Sequence, residues 1–163
     1  MTASRTTPPE EVDSLEGHYA GPVTRLLAYL ADAFFIGTSY GFILSGVYWV
    51  YNVIADANAQ PPTDEGVWAV LGAALGLMAW VFVYNGVCWS VWWKTPGKAL
   101  LGLRVVERDG ADLTGRTAWK RAFFYPVSFL FPPLGFAGIV VGAERRSWHD
   151  ALAGTTVVYD WNA

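Results

Sequence analysis

The sequence predicts an all-α membrane protein with two transmembrane helices, a third hydrophobic segment broken by proline, and a small cytoplasmic β-hairpin. Three observations lead to this prediction. Hydrophobic residues make up 53% of the 163 residues and charged residues only 15%, a balance that soluble domains of this length rarely show. Two apolar segments exceed the roughly 20 residues that are needed to cross a bilayer. Prolines interrupt a third apolar segment near its middle, where proline breaks or kinks a helix.

The two transmembrane helices are expected at about residues 26–54 and 67–93. Each is longer than the minimum, so we expect each to tilt or to protrude from the hydrocarbon core. Tyrosine and tryptophan are enriched where membrane proteins cross the two membrane–water interfaces. Here they cluster at both ends of the predicted pair, as Tyr48, Trp49, Tyr51 and Trp68 at one end and Trp89, Trp92 and Trp93 at the other.

The basic residues predict the orientation of these helices. The connection 55–66 contains no Lys or Arg and three acidic residues, whereas residues 94–121 contain seven basic residues. Short loops rich in Lys and Arg remain on the cytoplasmic side. We therefore expect the N-terminus and residues 94–121 in the cytoplasm, and the acidic connection on the outer side.

The third hydrophobic segment, 117–143, contains Pro126 and the pair Pro132-Pro133. Proline disfavours a helical conformation at its own position and at the residue before it, so we expect these prolines to break the segment. A kinked third span would export the arginines that follow residue 144. A re-entrant hairpin of two half-length helices would keep them inside, and the charge rule favours this second alternative.

The remaining residues predict a small cytoplasmic region around one membrane domain, 22–160. Residues 1–21 are polar, acidic and Pro-containing, and we expect a disordered cytoplasmic tail there. Residues 94–116 predict a cytoplasmic β-hairpin that turns at Asp109-Gly110. The C-terminal cytoplasmic segment, 144–163, follows the broken helix.

Within that C-terminal segment, "SWHDALAG" predicts a short helix. Ser147 is the expected N-cap, Asp150 its capping-box partner and Gly154 the residue that ends the helix. The following "TTVVY" is rich in β-branched residues and could add a strand to the predicted hairpin.

Several of these motifs resemble the RDD family of small bacterial membrane proteins. The family pattern has an Arg at the start of the first membrane helix, an Asp within that helix, and a second Asp in a C-terminal "HD" that precedes "AGT". The corresponding residues here are Arg25, Asp32 and Asp150, the last within "WHDALAGT". "TPGKALLGLRVVERDGADLT" is also similar to the cytoplasmic segment of the family. The match runs from about Gly21 to Tyr159, and the Trp-rich second helix and the acidic tail lie outside the pattern.

The resemblance implies a multi-pass protein of the bacterial plasma membrane. Transport is the usual expectation at the level of the family, although the family does not settle an activity. Some members are reported as sodium/proton exchangers, and others resemble adaptors for larger assemblies.

Five residues form the candidate polar or ion site within the membrane domain. Arg25 and Asp32 share a helix face but lie about 10.5 Å apart along the helix axis, which is too far for a direct pair. A carboxylate in hydrocarbon is costly unless it is paired or neutralised. We expect Asp32 to face Asn85 and Arg25 to pair with Asp150 and His149.

Tyr84 or Tyr40 is expected close to Asp32 as well. In one interpretation these groups are polar fasteners between segments. In the other, Asp32 exchanges a proton or a cation while Arg25 sets its pKa. The sequence does not choose between the two.

Small residues recur every fourth position on both predicted spans and allow helix backbones to approach closely. They are Ala33, Gly37, Gly41 and Ser45 on the first helix, and Gly72 and Gly76 on the second. These helix-packing residues fit either contact between the two spans or contact with another copy or another protein.

Other signals argue against catalysis and against cofactors. His18 and His149 are too isolated in the sequence for a metal site, and the single cysteine, Cys88, is expected to be inert packing. "KTPGK" lacks the glycine-rich lead of a P-loop, so Lys94 and Lys98 are expected to anchor at lipid phosphates or at the interface. No Ser-His-Asp set or nucleotide fingerprint is apparent, so we expect no enzyme activity, no catalytic residues, no metal and no cofactor.

Two functional hypotheses follow. The first is a non-enzymatic accessory or scaffold subunit of a larger membrane complex, and the second is an oligomeric transporter of cations, protons or small solutes that uses Asp32. The expected partners are the lipid bilayer and either other membrane-protein subunits or further copies of the chain. A pI near 5.2 argues against nucleic acid.

Overall fold

A computed structural model describes residues 18–58, 66–130 and 132–160. The expected tail up to residue 17 and most of the acidic connection lie outside the described residues. The described elements, in chain order, are α1 (Pro22–Ala57), α2 (Gly66–Trp92), α3 (Pro96–Leu100), β1 (Leu103–Glu107), α4 (Gly115–Leu130), α5 (Pro132–Val141), α6 (Trp148–Ala153) and β2 (Thr155–Tyr159).

The two long helices, α1 and α2, are both long enough and apolar enough to cross a bilayer, as predicted. Most of their large hydrophobic side chains are exposed, which suits helices that are surrounded by lipid. Their buried residues lie near the start of α1 and near the end of α2. We call this end of the molecule, where α3, α6 and the strands also lie, the polar end.

The pair α4 and α5 forms the broken hydrophobic segment. The axes of Gly115–Leu130 and Leu134–Val141 differ by 101°, so the segment bends where Pro132-Pro133 was expected to break it. Gly135 of α5 lies against the backbone of Ser128 in α4, where an added Cβ would approach the Ser128 Cα to 2.7 Å. A larger residue at this position would therefore push the two helices apart.

Pro126 differs from the prediction, because it lies inside α4 and does not break the segment. A proline within a helix loses one backbone hydrogen bond and costs about 3 kcal/mol. Here α4 packs between α2 on one side and α6 on the other. That packing outweighs the lost hydrogen bond.

The sheet consists of β1 and β2, which pair antiparallel with Leu103 opposite Tyr159 and Glu107 opposite Thr155. The predicted turn at Asp109-Gly110 forms, with the Gly110 N–H donating to the Glu107 carbonyl at 3.0 Å. Its second arm, however, contributes only a single bridge between Val106 and Asp112.

The predicted local hairpin therefore forms only near its turn, on the edge of β1 opposite to β2. On that edge the Glu107 N–H donates to the Ala111 carbonyl at 2.9 Å, but the Val105 N–H donates to the Trp93 carbonyl at 2.8 Å. The chain at Trp93 thus takes the place that a longer second arm would occupy. The expectation that "TTVVY" adds a strand is confirmed.

Residues 18–20 continue the sheet on the other edge of β2. The Ala20 N–H donates to the Val157 carbonyl, and the Tyr159 N–H donates to the His18 carbonyl, both at 3.0 Å. The prediction that the disordered tail extends to residue 21 is therefore wrong for residues 18–20. Without residues 18–20, the backbone groups at this edge of β2 would be unpaired, and they provide the hydrogen-bond partners that order this segment.

The short helix α6 has the predicted ends. Ser147 is its N-cap, and Asp150 completes the capping box with it. Gly154 ends the helix with a φ of 78°, in the left-handed region that glycine adopts without strain.

Candidate functional site

The carboxylate of Asp32 holds the start of α3 against α1. It accepts hydrogen bonds from the Thr95 hydroxyl at 2.5 Å and from the Gly97 N–H at 2.8 Å. The Tyr84 hydroxyl lies 3.3 Å away and donates to the same carboxylate. Carboxylates cap helix N-termini in this way because the first N–H groups of a helix have no partner inside it. Asp32 thus caps α3 from a different helix.

Gly97 is the residue that permits this contact. A Cβ at this position would lie 2.7 Å from the Asp32 nitrogen and 2.8 Å from its Cγ, and would also collide with the Ala28 carbonyl. Because backbone and carboxyl atoms surround the position, α3 can approach α1 this closely only with glycine here.

Asn85 is not a partner of Asp32, and the predicted pairing is wrong. Its side-chain amide donates to the Val81 carbonyl of the preceding turn at 2.9 Å. The prediction matched the depths of the two long helices, but the segment at Thr95 folds back and supplies the donors instead. Of the two tyrosines considered, Tyr84 reaches Asp32, whereas Tyr40 donates to the Ala73 carbonyl at 2.6 Å.

Lys98 lies beside the same carboxylate and was not predicted there. Its side chain is only 1% exposed, its Nζ is 3.8 Å from Asp32 Oδ2, and it lies over the rings of Tyr29 and Trp89 at 5.0 Å and 5.5 Å from their centroids. Burial lowers the pKa of Lys98 to about 8, although Asp32 opposes that shift. The prediction that Lys98 anchors at lipid or at the interface is therefore wrong.

Lys94, the other lysine of "KTPGK", is partly exposed and pairs with Asp160 at 2.9 Å. The sequence signal for the difference between the two lysines is the Pro-Gly between them. That dipeptide starts α3 and turns Lys98 inward.

Asp150 joins α1, α4 and α6 in one buried network. The Arg25 guanidinium donates to Asp150 Oδ2 at 2.9 Å, as predicted, and to the Val157 carbonyl at 3.2 Å. Arg121 of α4 lies 2.6 Å from Asp150 Oδ1. Sequence reasoning missed Arg121, because a basic residue in the first half of an amphipathic helix is ordinarily exposed.

The electrostatics of Asp150 follow from these two arginines. Burial by itself would raise the pKa of its carboxyl group, but the positive charges of Arg121 and Arg25 lower it, together with a hydrogen bond from Ser147. The net result is a pKa well below the usual range, so Asp150 is ionised. Asp150 is therefore a fixed negative charge between two cations.

His149 is a buried neutral side chain rather than a partner of Arg25, so that part of the prediction is wrong. Its Nδ1 lies 2.8 Å from the Ser128 hydroxyl, and its Nε2 lies 3.6 Å from Asp150. Burial lowers the pKa of His149 to about 3. The Ser147 hydroxyl lies 3.1 Å from both ring nitrogens.

Among the described residues, five buried side chains of the Arg, Lys and Asp type thus lie at the polar end, and we call them the buried charge cluster. Three are cationic and two anionic, and each is at most 3% exposed. They are Arg25, Lys98, Arg121, Asp32 and Asp150. Such pairs do not add much net stability, but removing one partner from a buried pair is strongly destabilising. The cluster connects α1 with α3, α4 and α6.

Among the small residues predicted to pack helices, Gly76 contacts the other span. A Cβ added there would meet the Tyr40 hydroxyl at 2.5 Å. At Gly37, Gly41 and Gly72 an added Cβ would meet nothing within 4 Å. The Ser45 hydroxyl donates to the Gly41 carbonyl of its own helix. Contact between α1 and α2 therefore does not explain most of this pattern.

Within the described ranges, no group of three or more His, Cys, Asp and Glu residues is arranged to hold a metal ion. Cys88 is buried and forms no disulfide.

The chain was compared with known proteins. The model of the RDD family matches residues 19–154. A Bacillus subtilis (strain 168) relative, "Uncharacterized protein YxaI", is 30% identical over 147 residues, which cover 86% of this chain and 97% of the relative. No solved structure matches. The match includes both long helices, the Arg25–Asp150 pair and the capped Asp32. Because it covers most of the chain, this chain belongs to the RDD family of membrane proteins.

Proposed function

We propose that the chain is a non-enzymatic accessory or scaffold subunit of a larger membrane protein complex. The observation that carries this proposal is that the two ends of α1 and α2 make different kinds of contact. Near the polar end their charged groups hold the chain's own segments together. Further along both helices, small-residue positions are open to contact from outside the described chain.

The charged residues support a fastening role. Asp32 is bound by donors from α2 and from the start of α3, and Asp150 by arginines from α1 and α4. Groups that are held by several buried partners at once are suited to fixing segments in register.

The open positions support a partner in the membrane. At Gly41 on α1 and at Gly72 on α2, an added Cβ would meet no other atom within 4 Å. Association of helices in lipid depends on close backbone approach, which small residues permit. An open small-residue face is therefore suited to the helix of another membrane protein.

The contacts of His149 support the absence of enzyme activity. His149 lies between Ser128 and Asp150. Its Nδ1 is within hydrogen-bonding distance of the Ser128 hydroxyl, and its Nε2 is within ion-pair distance of the Asp150 carboxylate. The sequence did not reveal this set. All three are fully buried, and the Ser128 oxygen also accepts the His149 N–H at 3.0 Å. A nucleophile must reach a substrate carbonyl, and this serine faces only protein.

The sheet supports two membrane crossings with a re-entrant α4–α5 pair. β2 bonds both to β1, which follows α2, and to residues 18–20, which precede α1. These three segments therefore share one side of the membrane, which leaves an even number of crossings between them. With the basic residues inside, that side is the cytoplasm, and the membrane is the bacterial plasma membrane.

The test of the accessory role is purification of the full chain from native membranes in a mild detergent, with mass spectrometry of co-purifying proteins. We expect foreign membrane subunits in fixed stoichiometry. Gly41→Leu and Ser45→Leu should release them. Gly46→Leu is the matched control, because Gly46 lies off this face of α1 and is equally open. Purification of the chain alone, or retention of the partner by every variant, would contradict the proposal.

The alternative function is an oligomeric transporter of cations, protons or small solutes. The observation in its favour is the buried pair of Asp32 and Lys98, in which the Lys98 nitrogen has no hydrogen-bond acceptor among the described residues. Purified chain in liposomes should then move ions down an imposed gradient. Asp32→Asn should abolish this flux and Asp56→Asn, at the far end of α1, should not. Equal flux from wild type and Asp32→Asn would eliminate this mechanism.

A further inference from the structure

An apolar cavity of about 500 Å³ lies between α1, α2 and α4. Ala33 and Gly37 form its wall on α1, Leu77 and Met78 its wall on α2, and Phe129 part of its wall on α4. The cavity is only partly enclosed. Its exposed lining residues, among them Leu77 and Met78, belong to the long helices, so a bilayer that surrounds these helices would reach the opening.

The size of the cavity decides which occupants fit. A helix about 10 Å across has a cross-section of roughly 80 Å², so this volume would hold only about 6 Å of helix length, or about one turn. A cavity of about 150 Å³ with similar walls takes one benzene molecule, so 500 Å³ corresponds to roughly twenty carbon atoms. That is the size of one long hydrocarbon chain.

The chemistry of the walls points the same way. Besides two tyrosines, the lining side chains are aliphatic, aromatic or thioether groups. A water molecule needs two to four polar partners, so water does not fill this space well. Hydrocarbon tails are the medium that surrounds the two helices.

We propose that this cavity binds a single acyl chain of a bilayer lipid. The proposal does not depend on the accessory function, because it concerns the part of α1 at Ala33 and Gly37, which lies closer to the polar end than the open positions at Gly41 and Ser45. Lipid bound here would contribute to the fold by filling the space between the re-entrant pair and the two spans.

Two tyrosines connect the cavity with the buried charge cluster. Tyr29 and Tyr125 line the cavity. On the other side, the Tyr29 ring faces Lys98 and the Tyr125 ring packs on His149 with a centroid distance of 4.9 Å. The acyl chain would therefore complete the apolar layer that separates the charge cluster from the bilayer centre.

Photo-crosslinking tests the proposal directly. The full chain is reconstituted with phosphatidylglycerol that carries a diazirine in mid-chain, and labelled residues are mapped by mass spectrometry. We expect labelling at Leu77 and Met78 to exceed labelling at Val70, an exposed residue of the same helix, at least fivefold. Gly37→Phe fills the cavity from α1 and should bring this ratio close to one.

Gly41→Phe is the matched control, because it adds the same side chain one turn further along α1, at a position that does not line the cavity. It should leave the ratio unchanged. If Gly37→Phe does not fold, Ala33→Phe tests the same wall, with the same residues of α2 as the readout. Equal labelling at Val70 and Met78 in the wild type, or an unchanged ratio in a folded cavity-filling variant, would overturn the proposal.

If the accessory function fails while the cavity residues are preferentially labelled, the lipid site stands by itself. If a co-purified partner protects Leu77 and Met78 from labelling by the lipid, the cavity is a protein contact and the lipid proposal is wrong.

Discussion

At the scale of single residues, the contact between Gly97 and Asp32 is the tightest constraint on the site. Its glycine is surrounded by the backbone and carboxyl atoms of α1, which cannot move as a flexible side chain would. This residue, and not the predicted partner Asn85, allows Asp32 to be buried as an N-cap.

Gly97→Ala should therefore lower the free energy of unfolding by about 1–3 kcal/mol, the usual cost of overpacking. Thermal unfolding in detergent measures this. The matched control is Gly115→Ala, where an added Cβ meets nothing within 4 Å and little change is expected. Equal melting temperatures for wild type and Gly97→Ala would show that α3 can shift without cost.

The burial of Lys98 predicts that the stability of the fold depends on pH. The pKa of Lys98 falls from 10.5 in the unfolded chain to about 8 in the fold because of burial, so the folded state binds fewer protons between these values. Stability then rises as the pH is raised through this window. Between pH 8 and 9.5 we expect a gain of up to about 2 kcal/mol, since one pKa unit is worth about 1.4 kcal/mol.

Denaturation curves of the wild type and Lys98→Met at pH 8, 8.75 and 9.5 measure this effect. The variant should lose the rise with pH, whereas Lys120→Met, at an exposed position, should keep it. A rise of the same size in Lys98→Met would assign the dependence to another group.

At the scale of elements, Asp150 links α6 to both α1 and α4. The helix fixes this residue through its own capping box, so the carboxylate is presented to the arginines in a defined position. Each arginine comes from a different helix, and each fastens that helix to the C-terminal segment.

Arg121→Met should loosen α4 and lower the free energy of unfolding by about 3–5 kcal/mol, the cost of leaving a partner in a buried pair uncompensated. Hydrogen exchange should rise mainly in α4 and α6. Arg116→Met, one turn earlier on an exposed position, should have little effect on either measurement. Exchange that rises equally in all helices would indicate global unfolding rather than release of α4.

At the scale of the whole molecule, the sheet connects the two ends of the helix pair, because β2 pairs with segments before α1 and after α2. In the topology that we propose, α1 and α2 cross the membrane and the bent α4–α5 pair enters and leaves on the same side. The prolines at the bend and the glycine packed beneath it would allow that return.

Cysteine accessibility in intact cells tests this topology, in a background where Cys88 is replaced by serine. Asn58→Cys should react with an impermeant maleimide, whereas Asp109→Cys and Ala163→Cys should react only after the membrane is opened. Labelling of Ala163→Cys in intact cells would indicate that α4–α5 crosses the membrane.

The sequence by itself determined the two long helices, the break at Pro132-Pro133, the caps of α6 and the Arg25–Asp150 pair. The first three depend on a local pattern: an apolar run, a residue without an N–H, or a capping motif. The Arg25–Asp150 pair joins residues far apart in sequence, and it was predictable because charges buried in a membrane protein must find opposite partners. Such signals can be recognised from residue types alone, without knowing how the rest of the chain packs.

Only the tertiary structure decided the partners of Asp32, the burial of Lys98 and Arg121, and the pairing of β1 with β2. These depend on which segment fills a given space, and several segments of similar composition compete for it. Thr95 and Gly97 replaced Asn85 because the chain after α2 folds back onto α1. The second arm of the local hairpin stayed short because, on its edge of β1, the Val105 N–H donates to the Trp93 carbonyl.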